Sequence, residues 1–424
     1  MKRAAAALTA LLIYGLLTLW VDERWAWSLF QAGVFTLAGW RIVRSRRWHP
    51  TAALGALAAA ALWPLLQLLV GASVSRFRTW NAGLDWFTFL VLFALAGEIL
   101  ADGKARRWFL RAAALFCMAL AAVATAQKYS SGGRIFWLFS SGYPEDVLGP
   151  FVNRNQYAAW IELLLPVALW LAATDRRFRT LYGTAAAVMF GSVVASASRA
   201  GFALACAETL AVLAVAARRG IVSRRTLARG AVQFAVIAVI ATAVLGWQGL
   251  WNRWRERTPE VLRVDALRAS LAMVYDRPWT GSGLGTWSTV YPRYAGVDTG
   301  LYLNQAHNDW AQWAAEGGLP FVFAMAVFAG LLCKPAIQSI YGLGTVAFLL
   351  HGLVDYPMQQ RPGLAAWFFV LAAAAMRWRA GVPAGPSADD ELLRGVRAGL
   401  RGHDGADPPG IQASGEASAP RPVP

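Results

Sequence analysis

One histidine in this 424-residue chain stands where a proton acceptor could work. His307 precedes the apolar run that opens at Asn308-Asp309-Trp310, which puts it at the N-terminal end of a helix. The helix dipole and partial burial both disfavour imidazolium there, leaving a neutral ring able to take a proton. Three arginines have comparable placements. Arg263 sits early in a helix within the longest loop, Arg199 lies in the tight turn Ser196-Ala197-Ser198-Arg199-Ala200-Gly201, and Arg154 stands between Asn153 and Asn155. Guanidinium forks suit bidentate binding of a diphosphate. A histidine within reach of a hydroxyl suits general-base catalysis, typically worth about 10²–10⁴-fold. A polyprenyl-diphosphate-linked glycan, with its diphosphate at the membrane plane and its sugar above, fits that combination. Each group also has a plainer reading, a histidine capping a helix and arginines snorkelling to lipid headgroups.

Other polar groups add candidates. Glu98, Glu162, Glu208, Glu316 and His351 fall inside apolar runs, where an ionisable group needs a cavity or a partner. His351 and Asp355 are one helical turn apart and could pair with each other or line the same cavity as His307. The helix carrying Arg263 opens at Thr258-Pro259-Glu260 and ends at Asp276-Arg277-Pro278. Along it Val264, Leu267, Leu271 and Val274 make one apolar stripe, with Arg263 at its edge and Asp265 pointing into solvent. Next comes Gly281-Ser282-Gly283-Leu284-Gly285, which reads either as a phosphate-cradling loop lacking the usual lysine or as a tight turn.

These residues are carried by elements that are not those of a soluble domain. Apolar residues make up 57% of the chain and charged residues only 15%, too few to coat a soluble protein of this size. Runs long enough to cross about 30 Å of hydrocarbon recur throughout. About twelve spans are expected, at 4–20, 26–43, 51–71, 84–101, 108–127, 156–173, 180–197, 200–217, 231–249, 308–332, 340–355 and 362–377. The first is read as a retained anchor, since no small-x-small cleavage site follows Trp20. Forty basic residues against 24 acidic ones give a net charge of +16. The basic clusters around Arg41–Arg47, Lys104–Arg107, Arg176–Arg179 and Arg218–Arg229 all fall on one side of a twelve-span topology, so positive-inside bias accounts for them and nucleic acid is not implied. Cys117, Cys206 and Cys333 lie in or at the ends of spans and imply no disulfide framework. The chain is read as a transmembrane domain over 1–380, including an outward loop at 250–307, followed by a disordered tail over 381–424.

The motifs resemble a known pattern. His307-Asn308 through Glu316-Gly317-Gly318 resembles the signature of the O-antigen ligase (Wzy_C-like) family, and Arg263 through Leu267 fits its Arg-x3-Leu pattern. Pro278 through Trp287 resembles its glycine-rich run, Ser198-Arg199-Ala200-Gly201 its Ser-Arg-x-Gly turn, Phe151 through Asn155 its Asn-x-Asn segment, and His351 through Pro357 its His-x-x-x-Asp segment. The resemblance covers roughly residues 150–360. Phe321 departs from it, standing where the family has Gly, Thr or Tyr, and altered packing is expected there. The resemblance implies an all-α, GT-C-like glycosyltransferase of the bacterial inner membrane, working on the periplasmic face without metal or other cofactor. By that likeness Arg199 and Arg263 hold the diphosphate of an undecaprenyl-diphosphate-linked glycan, and His307 deprotonates the acceptor hydroxyl. Arg154, Asn153, Asn155, Arg268, Asn308, His351 and Asp355 are then expected to bind substrate, with a lipid A-core oligosaccharide or another glycan as acceptor and the lipid bilayer as surroundings.

Alternatives remain at this level. A polymerase or a protein O-oligosaccharyltransferase of the same superfamily would use the same groups. A metal-dependent enzyme would use Asp22-Glu23, although adjacent carboxylates on a short turn diverge. A transporter would use the buried acids as an ion path, and its mark would be an internal repeat that the sequence does not display. Acceptor specificity is expected from variable loop residues such as Trp251, Trp254 and Tyr294.

Overall fold

The computed structural model describes residues 1–44, 50–142, 147–223, 258–297, 303–359 and 362–377, with a few positions between 225 and 251. The tail over 381–424, most of the expected span at 231–249 and Trp254 lie outside the described residues. In an apolar surrounding the backbone must satisfy its own hydrogen bonds, and the apolar runs accordingly form helices. They are α1 (Lys2–Leu17), α2 (Arg24–Arg44), α3 (Ala52–Leu69), α4 (Arg76–Ile99), α5 (Gly103–Ser130), α6 (Arg154–Thr174), α7 (Arg179–Ser196) and α8 (Arg199–Arg218). Then follow α9 (Thr258–Asp276), the single turn α10 (Trp287–Val290), α11 (Asp309–Ser339), α12 (Leu343–His351) and α13 (Pro362–Met376). A two-residue antiparallel ladder, Arg134–Ile135 with Phe139–Ser140, lies between α5 and α6. Short polar side chains start the helices. Thr51, Asp102, Asn153, Ser198 and Asn308 each accept a backbone N–H from the first turn that follows.

Six of these helices, α3, α4, α5, α6, α8 and α11, are long and apolar enough to cross a membrane. The protein is an all-α membrane protein, but its described spans do not reach the expected twelve. The run at 340–355 forms only the nine residues of α12 before turning, about 14 Å of helix against about 30 Å of hydrocarbon. The runs at 4–20 and 362–377 give helices of 16 and 15 residues. Gly363 through Ala375 of α13 are buried, so protein and not lipid surrounds that helix.

α6 is the axis of the bundle. Its residues from Gln156 through Ala168 are continuously buried, and α5, α7, α8, α12 and α13 pack around it. Two of these neighbours seat on it through glycine. A Cβ at Gly201 of α8 would lie 2.4 Å from Ala158 Cβ, and one at Gly344 of α12 would lie 2.4 Å from the Glu162 carbonyl oxygen. Small residues at such crossings let backbones approach closely where no hydrophobic drive between helices exists.

The loop helix α9 packs in the opposite sense to the sequence pattern. Ala266, Ala269 and Met273 are buried against Trp287, Tyr291, Ala306 and Ala315, whereas Val264, Leu267 and Leu271 of the expected stripe are exposed. The small residues define the inner face because they let Trp287 and Tyr291 lie flat against the helix. Asp265, expected in solvent, is buried, accepting from Tyr291 Oη at 2.7 Å and from the Gly296 N–H at 3.0 Å. Burial and the Asp265 contact push the Tyr291 phenol up to about 12.

α11 breaks at Gly318, whose φ of +70° and ψ of 179° leave the helix, and Leu319 N–H donates instead to the Pro278 carbonyl. A side chain at Gly318 would meet the Trp279 and Pro278 carbonyls, so only glycine lets the loop reach this kink. Phe321, the departure noted in the sequence, is buried edge-on to Trp86, with ring centroids 5.0 Å apart.

Gly344→Ala should destabilise the protein by about 1–3 kcal/mol, since the added methyl drives α12 off α6. The measurement is the melting temperature in detergent, and an unchanged value would mean that the two helices are not in contact as described.

Candidate active site

Five chain segments distant in sequence meet at one end of the bundle. They are the starts of α6 and α8, the turn that follows α12, the first half of α9, and the residues just before α11. Their junction is the carboxylate of Asp355, 2% exposed. One of its oxygens receives the Asn155 amide and lies 3.3 Å from Arg263 Nη2, and the other accepts the Tyr356 N–H at 2.8 Å. Asn155 in turn accepts the Ser198 hydroxyl at 2.8 Å, which fixes its amide orientation and ties the α8 cap to the α6 start. Asn153 caps α6 and donates to Tyr356 Oη at 3.0 Å.

His307 closes this arrangement. Its imidazole stands edge-to-face on the Tyr356 ring, with centroids 4.7 Å apart. Its backbone is left-handed, φ +53°, a conformation that a side chain larger than glycine adopts at some cost and that recurs at functional sites. The following residues explain how it is held. Asn308 caps α11 through Ala311 N–H and donates to the Leu353 carbonyl at 2.7 Å, while Asp309 N–H reaches the carbonyls of Gly352 and Asp355. The helix cap is therefore Asn308, and His307 projects from the residue before it. Nδ1 of His307 is buried with no hydrogen-bond partner among the described residues. Burial lowers its pKa, the Asp355 charge opposes that, and Arg263 adds to it, so the net direction is down from 6.5. A neutral imidazole with an unengaged nitrogen results.

Of the residues expected from sequence, Arg263, His307, Asp355, Asn153 and Asn155 come together. The two asparagines and Asn308 are committed to caps and to the turn, and so they build the site's frame. Arg154 and Arg199 are the first residues of α6 and α8, half-buried at this same end. Two expectations are not met. His351 is fully buried with its Nδ1 2.9 Å from Glu162 Oε1, away from any surface a substrate could reach. Arg268 is exposed, about 140° around α9 from Arg263, and so faces elsewhere. The glycine-rich segment is a tight turn with its amides already used. Ser282, Gly283, Gly285 and Trp287 N–H groups bond to Ala315 or Glu316, and Leu284 N–H to Gln67. Tyr294 is likewise engaged, donating to Asp276 at 2.6 Å, a bond that raises its pKa. Tyr356 falls within one of the sequence motifs but has no role assigned by it, and its neighbour Asp355 is the only signal for it.

With only four histidines, selective isotope labelling can follow His307 by NMR. Its titration midpoint should fall below 6.5. In Asp355→Asn it should fall further, because the carboxylate that favours the cation is gone. A midpoint that rises in that variant would contradict the geometry. As the folded value is depressed, this group withdraws stability as pH drops below 6.5 and has no effect well above it.

No curated protein matches the chain at a significant level. The family model described as O-Antigen ligase, Wzy_C, matches residues 184–329, from within α7 to within α11, so that Arg199, Arg263 and His307 lie inside the match while Asn155 and Asp355 lie outside it. Over that segment, about a third of the chain, the protein is similar to the O-antigen ligase (Wzy_C) family.

Proposed function

We propose that the protein transfers a glycan from undecaprenyl diphosphate to an acceptor hydroxyl, most simply one on lipid A-core oligosaccharide, on the periplasmic side of the inner membrane. The observation that carries this reading is the partly exposed His307 ring, edge-to-face with Tyr356, beside the Arg263–Asp355 pair. His307 takes the acceptor proton as the hydroxyl oxygen attacks the anomeric carbon in line. The bond from that carbon to the diphosphate oxygen breaks, and the electron pair leaves with the diphosphate. Arg263, a third exposed, offsets the charge on the leaving group, with Arg199 at the start of α8 as its companion. The carboxylate of Asp355 keeps Arg263 in place and stabilises the imidazolium as it forms. Asn153, Asn155 and Asn308 hold these groups, and Arg154 adds a further cation at the glycan-bearing end.

Charge asymmetry supports the sidedness. Arg41, Arg44, Arg106, Arg176, Arg177, Arg179, Arg218 and Arg219 stand at helix ends opposite to His307, as positive-inside bias requires of a periplasmic site. The GT-C-like architecture and the lack of a metal requirement belong to the same reading.

Purified protein in proteoliposomes, given undecaprenyl-diphosphate-linked glycan and lipid A-core, should form the joined product, also in chelator. His307→Ala should slow transfer by about 10²–10⁴-fold while membrane insertion is unaffected. Arg263→Ala should slow it comparably. Growth of the carrier-linked chain in place of transfer to lipid A-core would indicate a polymerase, and full activity of His307→Ala would exclude the base assigned here.

A further inference from the structure

The buried pair formed by Glu162 and His351 touches no surface, yet both residues belong to elements that build the site. Glu162 is on α6, seven residues after Asn155, so the two share one face of that helix about 10 Å apart along its axis. His351 is the last residue of α12 and lies four residues before Asp355. One face of α6 therefore grips the 351–356 segment at two heights. Asn155 holds the Asp355 carboxylate at the upper point, and the Glu162 carboxyl oxygens lie 2.9 and 3.0 Å from His351 Nδ1 at the lower. Between them the His351 carbonyl accepts the Val354 and Asp355 N–H groups, so that the imidazole and the carboxylate belong to one rigid turn.

A single hydrogen bond fixes a position but leaves rotation free, whereas two separated by a couple of helical turns fix orientation as well. That turn carries Asp355, which anchors Arg263, and Tyr356, on which the His307 ring rests. Through the Gly352, Leu353 and Asp355 carbonyls it also anchors Asn308 and Asp309. A buried ion pair is not needed for stability here, because a well-packed apolar pair of similar volume is often as stable. What such a pair adds is a unique register. We infer that Glu162 and His351 are positioning residues, a clamp inside the bundle that sets where Arg263 and His307 stand relative to each other. The inference rests on the transfer reaction proposed above only for its kinetic readout.

The test uses the full-length protein in proteoliposomes with undecaprenyl-diphosphate-linked glycan and lipid A-core, alongside carbethoxylation of His307 by diethyl pyrocarbonate followed by mass spectrometry. In Glu162→Gln and His351→Asn, kcat should fall by about 10²-fold, the scale of an ångström-sized misplacement, with KM little changed. His307 should be modified faster as Tyr356 withdraws from it. Glu98→Gln removes another largely buried acid, near the far end of α4 and 3.6 Å from Arg377, and it should leave both readouts at the wild-type level. Wild-type kcat and labelling in the two clamp variants would overturn the inference, as would equal losses in Glu98→Gln. Should both single variants fail to fold, the exchange E162H/H351E decides, since recovery supports the clamp and a protein as damaged as the singles refutes it. The labelling needs no turnover, so a wild-type protein that transfers no glycan would sink the functional reading, and the labelling rates alone would then decide the clamp.

Discussion

The carboxylate of Asp355 is the constraint on which the arrangement depends. A carboxylate this buried is tolerated only when its charge and lone pairs are met, and here Arg263, the Asn155 amide and the Tyr356 N–H meet them. Each partner comes from a different part of the chain, and removing any one would leave a buried charge short of compensation. The need to neutralise one oxygen pair thereby forces α6, α9 and the turn after α12 to converge. Ser198, through Asn155, brings α8 along with them.

The same charge balance keeps the histidine ready. Desolvation and Arg263 both work against imidazolium, and Asp355 works for it. Losing the carboxylate would lower the ring's proton affinity further and losing the arginine would raise it, with burial, the largest influence, still acting downward in both cases. Arg263 serves two partners in this balance. Its side-chain hydrogen bond to Asp355, at 3.3 Å, leaves it a third exposed. Tyr356 offers the imidazole an aromatic ring where a hydrogen-bonding side chain would have occupied Nδ1.

Much of this is readable from sequence wherever a local rule decides the outcome. Asn153, Ser198 and Asn308 are short polar residues ahead of apolar runs, and they cap helices as such residues do. Arg263 and His307 stand out because their types imply a chemistry. Where tertiary contact decides, the pattern misleads. The stripe of Val264, Leu267 and Leu271 points to the inner face of α9, but Trp287 and Tyr291 need flat neighbours, and alanines supply them. Asp265 looks like a solvent residue because nothing nearby in sequence announces Tyr291 or Gly296. The glycine-rich stretch looks like a phosphate loop because its amides are free in the sequence pattern, and they stay free only until Gln67 and Glu316 arrive from α3 and α11.

The reach of the family match carries the same lesson. Residues 184–329 contain Arg199, Arg263 and His307, which have chemistry of their own, and leave out Asn155 and Asp355, which place them. The bond between Asn155 and Asp355 spans 200 residues of chain, and that between His351 and Glu162 spans 189. No spacing rule operates over such distances, because the intervening helices can be re-ordered or lengthened without changing which groups meet. In a helical bundle whose backbone is satisfied internally, close packing at small residues and side-chain bonds between helices together fix rotation and depth. The groups whose types imply a chemistry can therefore be picked out from short motifs, while their geometry is held by contacts that only the folded chain displays.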